Sequence, residues 1–141
     1  MASTSAPSQD LYAVADFCLI PMGTGEPSVA EYIAECSRVL QKSGLKHQVS
    51  ICHEALVRCT ISLTSPSAIQ LHGYGTNLEG PWSEVVKAIH DCHAAVHAKG
   101  VPRIATDIRI GTRVDREIEP GTGNEGKVKR VQDILAKDSA A

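Results

Sequence analysis

Apolar runs and amphipathic patterns alternate along this chain and predict strands and helices in a regular order. Residues 14–20 are apolar except for Asp16 and end at Pro21, which is typical of a strand covered on both faces. Residues 103–111 alternate instead, as in a strand with two different faces. One face would carry Ile104, Thr106, Ile108 and Ile110, and the other Arg103, Ala105, Asp107 and Arg109.

Two stretches show the apolar spacing of a helix. The first follows a predicted capping box at Ser28 and Glu31 and ends at Gly44, a left-handed C-terminal cap. Its apolar stripe is Val29, Ile33, Cys36 and Leu40. The second starts near Pro81 and ends at Gly100. Its predicted stripe is Trp82, Val86, Ile89, His93 and Val96.

Each predicted helix leads directly into a strand, so the chain contains two strand–helix–strand units. Two right-handed units of this kind interleave as βαββαβ into a four-stranded antiparallel sheet with both helices on one face. Residues 125–137 predict a third, C-terminal helix after a hinge at residues 121–124. The sequence therefore predicts one α+β domain over residues 11–137, with residues 1–10 as a disordered tail.

Composition narrows the class of protein. Of 141 residues, 43% are hydrophobic and 21% charged, and the formal net charge of −2 argues against nucleic-acid binding. The sequence shows no apolar run long enough for a membrane span and no secretory signal, so we expect a cytoplasmic protein. Five cysteines without a C-x-x-C pair indicate reduced thiols rather than a disulfide framework or a zinc site.

Residues 49–70 interrupt the pattern where the second strand should continue. This stretch is rich in Ser, Thr and Cys and has no helical stripe. It begins Val-Ser and ends in Gln, which splice donor and acceptor codons can encode, so one hypothesis is a translated intron. The other is an ordinary loop insertion, which chain entropy tolerates.

Short motifs spread along the chain carry a family resemblance. They are residues 20–25 (IPMGTG), 43–46 (SGLK), 74–80 (YGTNLEG), His93, 99–103 (KGVPR) and 108–113 (IRIGTR). In this order and spacing the chain resembles the thiamine-binding protein (YkoF-like) family over residues 11–136, apart from the insertion. The resemblance implies a ferredoxin-like fold, homo-oligomers (dimers or tetramers), thiamine or a related compound as ligand, and no established catalytic activity or resident cofactor.

The sheet face without helices is the first candidate location for a site. Strand one is apolar on both faces, and an exposed apolar sheet face usually marks an interface, which favours a homo-oligomer. Asp107 and Arg109 share that face, and Asp16 is expected in the same layer. They form either a structural ion pair with a solvated rim or a polar floor for a ligand at a subunit boundary.

The second candidate is residues 76–80, predicted to connect a strand to the second helix. Asn77 and Glu79 offer an amide and a carboxylate to an aminopyrimidine, and Thr76 lies beside them. Tyr74 or Trp82 offers an aromatic face to a thiazolium cation. Alternatively, Asn77 only makes a turn and Glu79 favours the start of the helix.

Three histidines on the second helix raise the question of a metal. His90, His93 and His97 fall on one helix face at spacings that can chelate zinc. Because no H-E-x-x-H or C-x-x-C motif accompanies them, we expect one packed histidine and two surface histidines, and no metal site. Nucleophile and P-loop motifs are likewise absent from the sequence, and we predict no catalytic residue.

The sequence thus predicts a binding protein for thiamine or a related pyrimidine compound, acting as carrier, buffer or sensor. Its expected partners are other copies of itself and a small molecule, with no nucleic acid and no membrane. Two alternatives remain: an enzyme whose site forms at an oligomer interface, with Asp107 or Glu79 as acid or base, and a regulatory oligomer that binds a simple anion.

Overall fold

The computed structural model describes residues 10–45 and 69–138 and has the predicted βαββαβ architecture followed by a C-terminal helix. The elements are β1 (Tyr12–Met22), α1 (Ala30–Lys42), β2 (Ile69–His72), β3 (Gly75–Pro81), α2 (Trp82–Ala98), β4 (Arg103–Thr112) and α3 (Gly123–Asp138). Residues 1–9 of the predicted tail, and residues 49–68 of the predicted insertion, lie outside the described residues.

The four strands form one antiparallel sheet in the order β2-β3-β1-β4. This is the ferredoxin-like arrangement, and the predicted fold class is confirmed. The central strand β1 is paired along both edges, to β3 and to β4. Residues 69 and 70, placed in the insertion by the sequence pattern, instead belong to β2 and pair with Leu78 and Asn77 of β3.

The hydrophobic core lies between the sheet and the two helices α1 and α2. Alternate residues of β1 face this layer, namely Ala13, Ala15, Phe17 and Leu19. The helices contribute Cys36, Leu40, Val85, Ala88, Ile89, Cys92 and Val96. We call the opposite side of the sheet the open face; it carries Val14, Asp16 and Cys18 of β1 and their partners Gly111, Arg109 and Asp107 of β4.

The helix ends differ in part from the predicted caps. Gly44 and Gly100 have φ of +78° and +90°, as expected for left-handed C-terminal residues. The predicted capping box at Ser28 and Glu31 is wrong, because α1 begins at Ala30 and the Ser28 hydroxyl accepts only a 3.4 Å hydrogen bond from the Ala30 N–H. At the start of the other helix, α2, Asp10 accepts hydrogen bonds from the N–H and the hydroxyl of Ser83 and so acts as a cap.

The buried stripe of α2 is shifted relative to the prediction. Val86 and Trp82, expected in the core, are 46% and 40% exposed, whereas Val85 and Cys92 are fully buried. The predicted stripe followed the large apolar side chains, but the sheet and α1 contact the neighbouring helix face, where small residues such as Ala88 allow close packing.

Candidate functional site

A row of polar side chains crosses the open face at the middle of the sheet. Asp16 of β1 lies opposite Asn77 of β3 on one side and Arg109 of β4 on the other. The antiparallel register brings these residues together although 93 positions separate Asp16 from Arg109 in the chain. The prediction that Asp16 joins the layer of Arg109 is thus confirmed by the strand pairing.

Asp16 and Arg109 form an ion pair within this row. The Arg109 guanidinium donates to Asp16 Oδ2, with the Arg109 side chain 86% exposed and that of Asp16 22% exposed. An ion pair with one partner in water contributes little to stability, so this pair can be rearranged at small cost. Asp107, which the sequence analysis grouped with Arg109, lies one row further along and is exposed.

The row lines a cavity of about 360 Å³ on the open face. Its polar lining is Asp16, Asn77, Arg109, Asn124 and Lys127. Asn124 and Lys127 come from α3, whose first turns stand over this part of the sheet. Sequence reasoning missed both, because it treated residues 121–124 as a hinge and considered no side chain of the last helix as part of a site.

The residues predicted to form a strand-to-helix loop lie instead in a strand. Residues 76–80 are part of β3, so that prediction is wrong, and their side chains alternate between the two faces of the sheet. Asn77 and Glu79 point to the open face. Thr76 points to the helices, opposite Phe17, and is 7% exposed.

The aromatic residues suggested for a thiazolium ring do not line this cavity. Tyr74 lies in the turn between β2 and β3 and is 91% exposed. Trp82 begins α2. The cavity lining on the described residues is therefore polar and aliphatic.

Glu79 is buried next to the cavity, beneath the start of α3. The residue is 2% exposed, and its Oε2 makes no hydrogen bond of normal geometry to a described residue. Burial raises the pKa of its carboxyl group, and the N–H groups of Gly123 and Asn124 act in the opposite direction. Gly123 is required here, because a Cβ at this position would collide with Glu79 Oε2 and with Val14.

Tyr12 also fixes the start of α3. The N–H of Gly121, a residue with φ of +87°, donates a 2.9 Å hydrogen bond to the Tyr12 hydroxyl. The segment predicted as a flexible hinge therefore contains a buried, hydrogen-bonded glycine and the first two residues of a helix. This connection positions Asn124 and Lys127 over the sheet.

The three histidines of α2 have different partners. His93 is half-buried with its Nε2 2.5 Å from the Thr106 hydroxyl, and burial lowers its pKa. His97 Nδ1 lies 2.7 Å from the Val101 carbonyl, and His90 lies beside Asp91. Among the residues of the described ranges, no group of three or more metal-ligating side chains converges.

Comparison with known proteins identifies the family. A family model described as "Thiamine-binding protein" matches residues 15–53 and 60–132. This chain belongs to the thiamine-binding protein family. Of the predicted insertion, only residues 54–59 fall outside the matched ranges.

Relatives and solved structures agree with this assignment. The UPF0045 protein sll0230 of Synechocystis is 42% identical over 122 residues, covering 86% of this chain and 78% of the relative. The UPF0045 protein YqgV of Bacillus subtilis is 32% identical over 123 residues, covering 87% and 97%. The crystal structure of MJ1052 from Methanocaldococcus jannaschii superposes with a TM-score of 0.61 at 26% identity, covering 86% and 96%.

None of the helices in the described ranges combines the length and apolar character that crossing a bilayer requires.

Proposed function

We propose that this protein binds thiamine or a related aminopyrimidine compound in the open-face cavity, as a carrier, buffer or sensor. Membership of the thiamine-binding protein family supports the ligand class. The observation that carries the proposal for this chain is the Asn77–Asp16–Arg109 row lining a cavity of about 360 Å³. Ligand pockets commonly have volumes of about 300–1,000 Å³.

The chemistry of the row matches an aminopyrimidine. The Asn77 side chain has both a donor and an acceptor for a ring nitrogen and its neighbouring amino group. The Asp16 carboxylate accepts a hydrogen bond from that amino group or faces the positive thiazolium ring. Asn124 adds a second amide from the opposite wall of the cavity.

We further propose that the protein assembles as a homo-oligomer, with a second copy covering the open face. Ile20 and Met22 are 38% and 39% exposed on that face, beyond the polar row. Exposed apolar residues grouped on one face favour association. A second copy would exclude water from the cavity and complete it.

Titration calorimetry with thiamine tests the binding proposal. We expect thiamine to bind the wild-type protein, and we expect Asp16→Asn and Asn77→Ala each to weaken binding by about tenfold or more, as for loss of a charge-assisted or paired hydrogen bond. The control is Asp91→Asn, which removes a carboxylate ion-paired with Lys87 on α2, in the other layer of the fold.

Two results would contradict the proposal. One is the absence of thiamine binding by the wild-type protein at millimolar concentration. The other is equal affinity in wild type, Asp16→Asn and Asn77→Ala, because the ligand would then lie elsewhere.

A further inference from the structure

A second cavity, rich in basic side chains, adjoins the polar row. It has a volume of about 400 Å³ and lies between the end of β4, the following loop and the first turns of α3. Its charged lining comprises Arg113, Arg116, Lys127 and Arg130, together with Glu117 and Glu119.

Most of the basic groups in this cavity form no close ion pair within the described part of the fold. Arg113 is held by Asp115, with Nε 2.7 Å from Oδ1. Arg116, Lys127 and Arg130 form no ion pair with any residue of the described ranges. Three basic groups therefore face the cavity against two carboxylates, which favours an anionic occupant.

The α3 backbone is exposed to the same cavity. Gly126 lies in the first turn of α3 and lines the cavity, yet a Cβ there would meet nothing within 4 Å. Glycine destabilises a helix interior relative to alanine, and neither crowding nor a positive φ requires it here. A glycine in such a position allows a ligand to approach the backbone closely.

The two cavities adjoin each other and share part of their lining. Both are lined by Val14, Gly111 and Lys127. A molecule that extends through them would have its hydrogen-bonding ring beside Asp16 and Asn77. Its other end would reach Arg116 and Arg130.

We propose that the ligand is a phosphate ester of thiamine or of the related aminopyrimidine compound, with its phosphate groups in this basic cavity. This inference rests on the proposed function, since it assigns the ring of the ligand to the polar row. The guanidinium groups match phosphate oxygens in charge and geometry.

The test compares thiamine, thiamine diphosphate and inorganic diphosphate by titration calorimetry, at fixed ionic strength and with divalent cations chelated. We expect thiamine diphosphate to bind at least about tenfold more tightly than thiamine. In Arg116→Ala/Arg130→Ala this advantage should disappear while the affinity for thiamine is unchanged. The matched control is Lys42→Ala/Lys129→Ala, which also removes two positive charges but lies outside the lining of both cavities.

A second variant tests the same inference independently, in case the double arginine variant does not fold. Gly126→Leu introduces a good helix former whose side chain would occupy the basic cavity. It should bind thiamine as the wild type does and lose the preference for the diphosphate.

The outcomes separate this inference from the proposed function. Equal affinity of the wild type for thiamine and its diphosphate overturns the inference and leaves the proposed function standing. A preference that survives in both cavity variants also overturns it. Binding of inorganic diphosphate without any binding of thiamine overturns both the proposed function and the inference that one ligand occupies both cavities.

Discussion

The Glu79 carboxyl group is buried, whereas most carboxylates of proteins are exposed to water. It lies under the first turn of α3, beside the N–H groups of Gly123 and Asn124, and burial dominates, so its folded pKa is raised above the ordinary value of 4.5. A raised carboxyl pKa contributes stability below the unfolded pKa, and this contribution is lost as the pH rises through the folded pKa. At neutral pH, ionisation of Glu79 therefore opposes folding.

This pH dependence of stability predicts the behaviour of Glu79→Gln, which removes the titrating group and keeps the shape of the side chain. We expect the free energy of unfolding of the variant, relative to wild type, to increase as the pH rises from about 4 to about 8, because only the wild type loses stability as this carboxyl group ionises. Urea denaturation at several pH values measures this difference. A difference that is independent of pH would show that Glu79 is not desolvated in the folded protein.

The polar row is also a residue-scale feature, and it was only partly visible in the sequence. Asp16 stood out as the sole charge in an apolar strand, and Arg109 as a charge on an alternating strand. Their contact depends on the β1–β4 register, which a single sequence does not specify. The sequence analysis therefore expected Asp107, Arg109 and Asp16 in one layer without specifying which carboxylate pairs with Arg109, and the structure shows that its ionic partner is Asp16.

At the scale of elements, α2 shows how the neighbours of a helix select its buried face. Val85 and Val86 are adjacent, and both satisfy an apolar helical pattern. Val85 is fully buried against the core, whereas Val86 is 46% exposed. The difference arises because Val85 lies on the side of α2 that packs against the core residues of the sheet and α1, whereas Val86 does not belong to that cluster.

Truncating each valine to alanine measures how much the burial of its side chain stabilises the fold. We expect Val85→Ala to lower the free energy of unfolding by about 2 kcal/mol, through lost burial and an added cavity. Val86→Ala, its matched control, should change it by no more than about 0.5 kcal/mol. Chemical denaturation gives both values, and equal costs would contradict the observed orientation of α2.

At the scale of the whole molecule, apolar residues remain exposed on the open face and on α3. Ile20 and Met22 lie on the open face, and Val128, Val131, Ile134 and Leu135 on α3 are 56–60% exposed. In the proposed homo-oligomer a second copy buries the open-face pair. A charge introduced there should then be costly, because it would be desolvated without a partner.

Light scattering after size-exclusion chromatography tests that proposal. We expect the wild type to elute as an oligomer, and Ile20→Glu/Met22→Glu to shift toward the monomer mass. Val86→Glu, a charge at an exposed site on the helix layer, is the control and should keep the wild-type mass. A monomeric wild-type protein at working concentration would contradict the proposed assembly.

The local patterns of the sequence determined β1, β4, the helices and the order of the elements, but not the bounds of β2 and β3. Strand alternation, helical spacing and the left-handed glycines at positions 44 and 100 depend on near neighbours in the chain, so the βαββαβ fold could be predicted from them. Recognition of the family likewise came from short motifs in a fixed order, and the family match confirmed it.

Only the tertiary structure decided which side chains form the candidate site. Register placed Asn77 and Arg109 on either side of Asp16, and it turned Thr76 toward the core. The path of residues 121–124 brought Asn124 and Lys127 over the sheet and covered Glu79. These contacts join residues distant in the chain, and their geometry follows from packing of whole elements rather than from the preferences of any one segment.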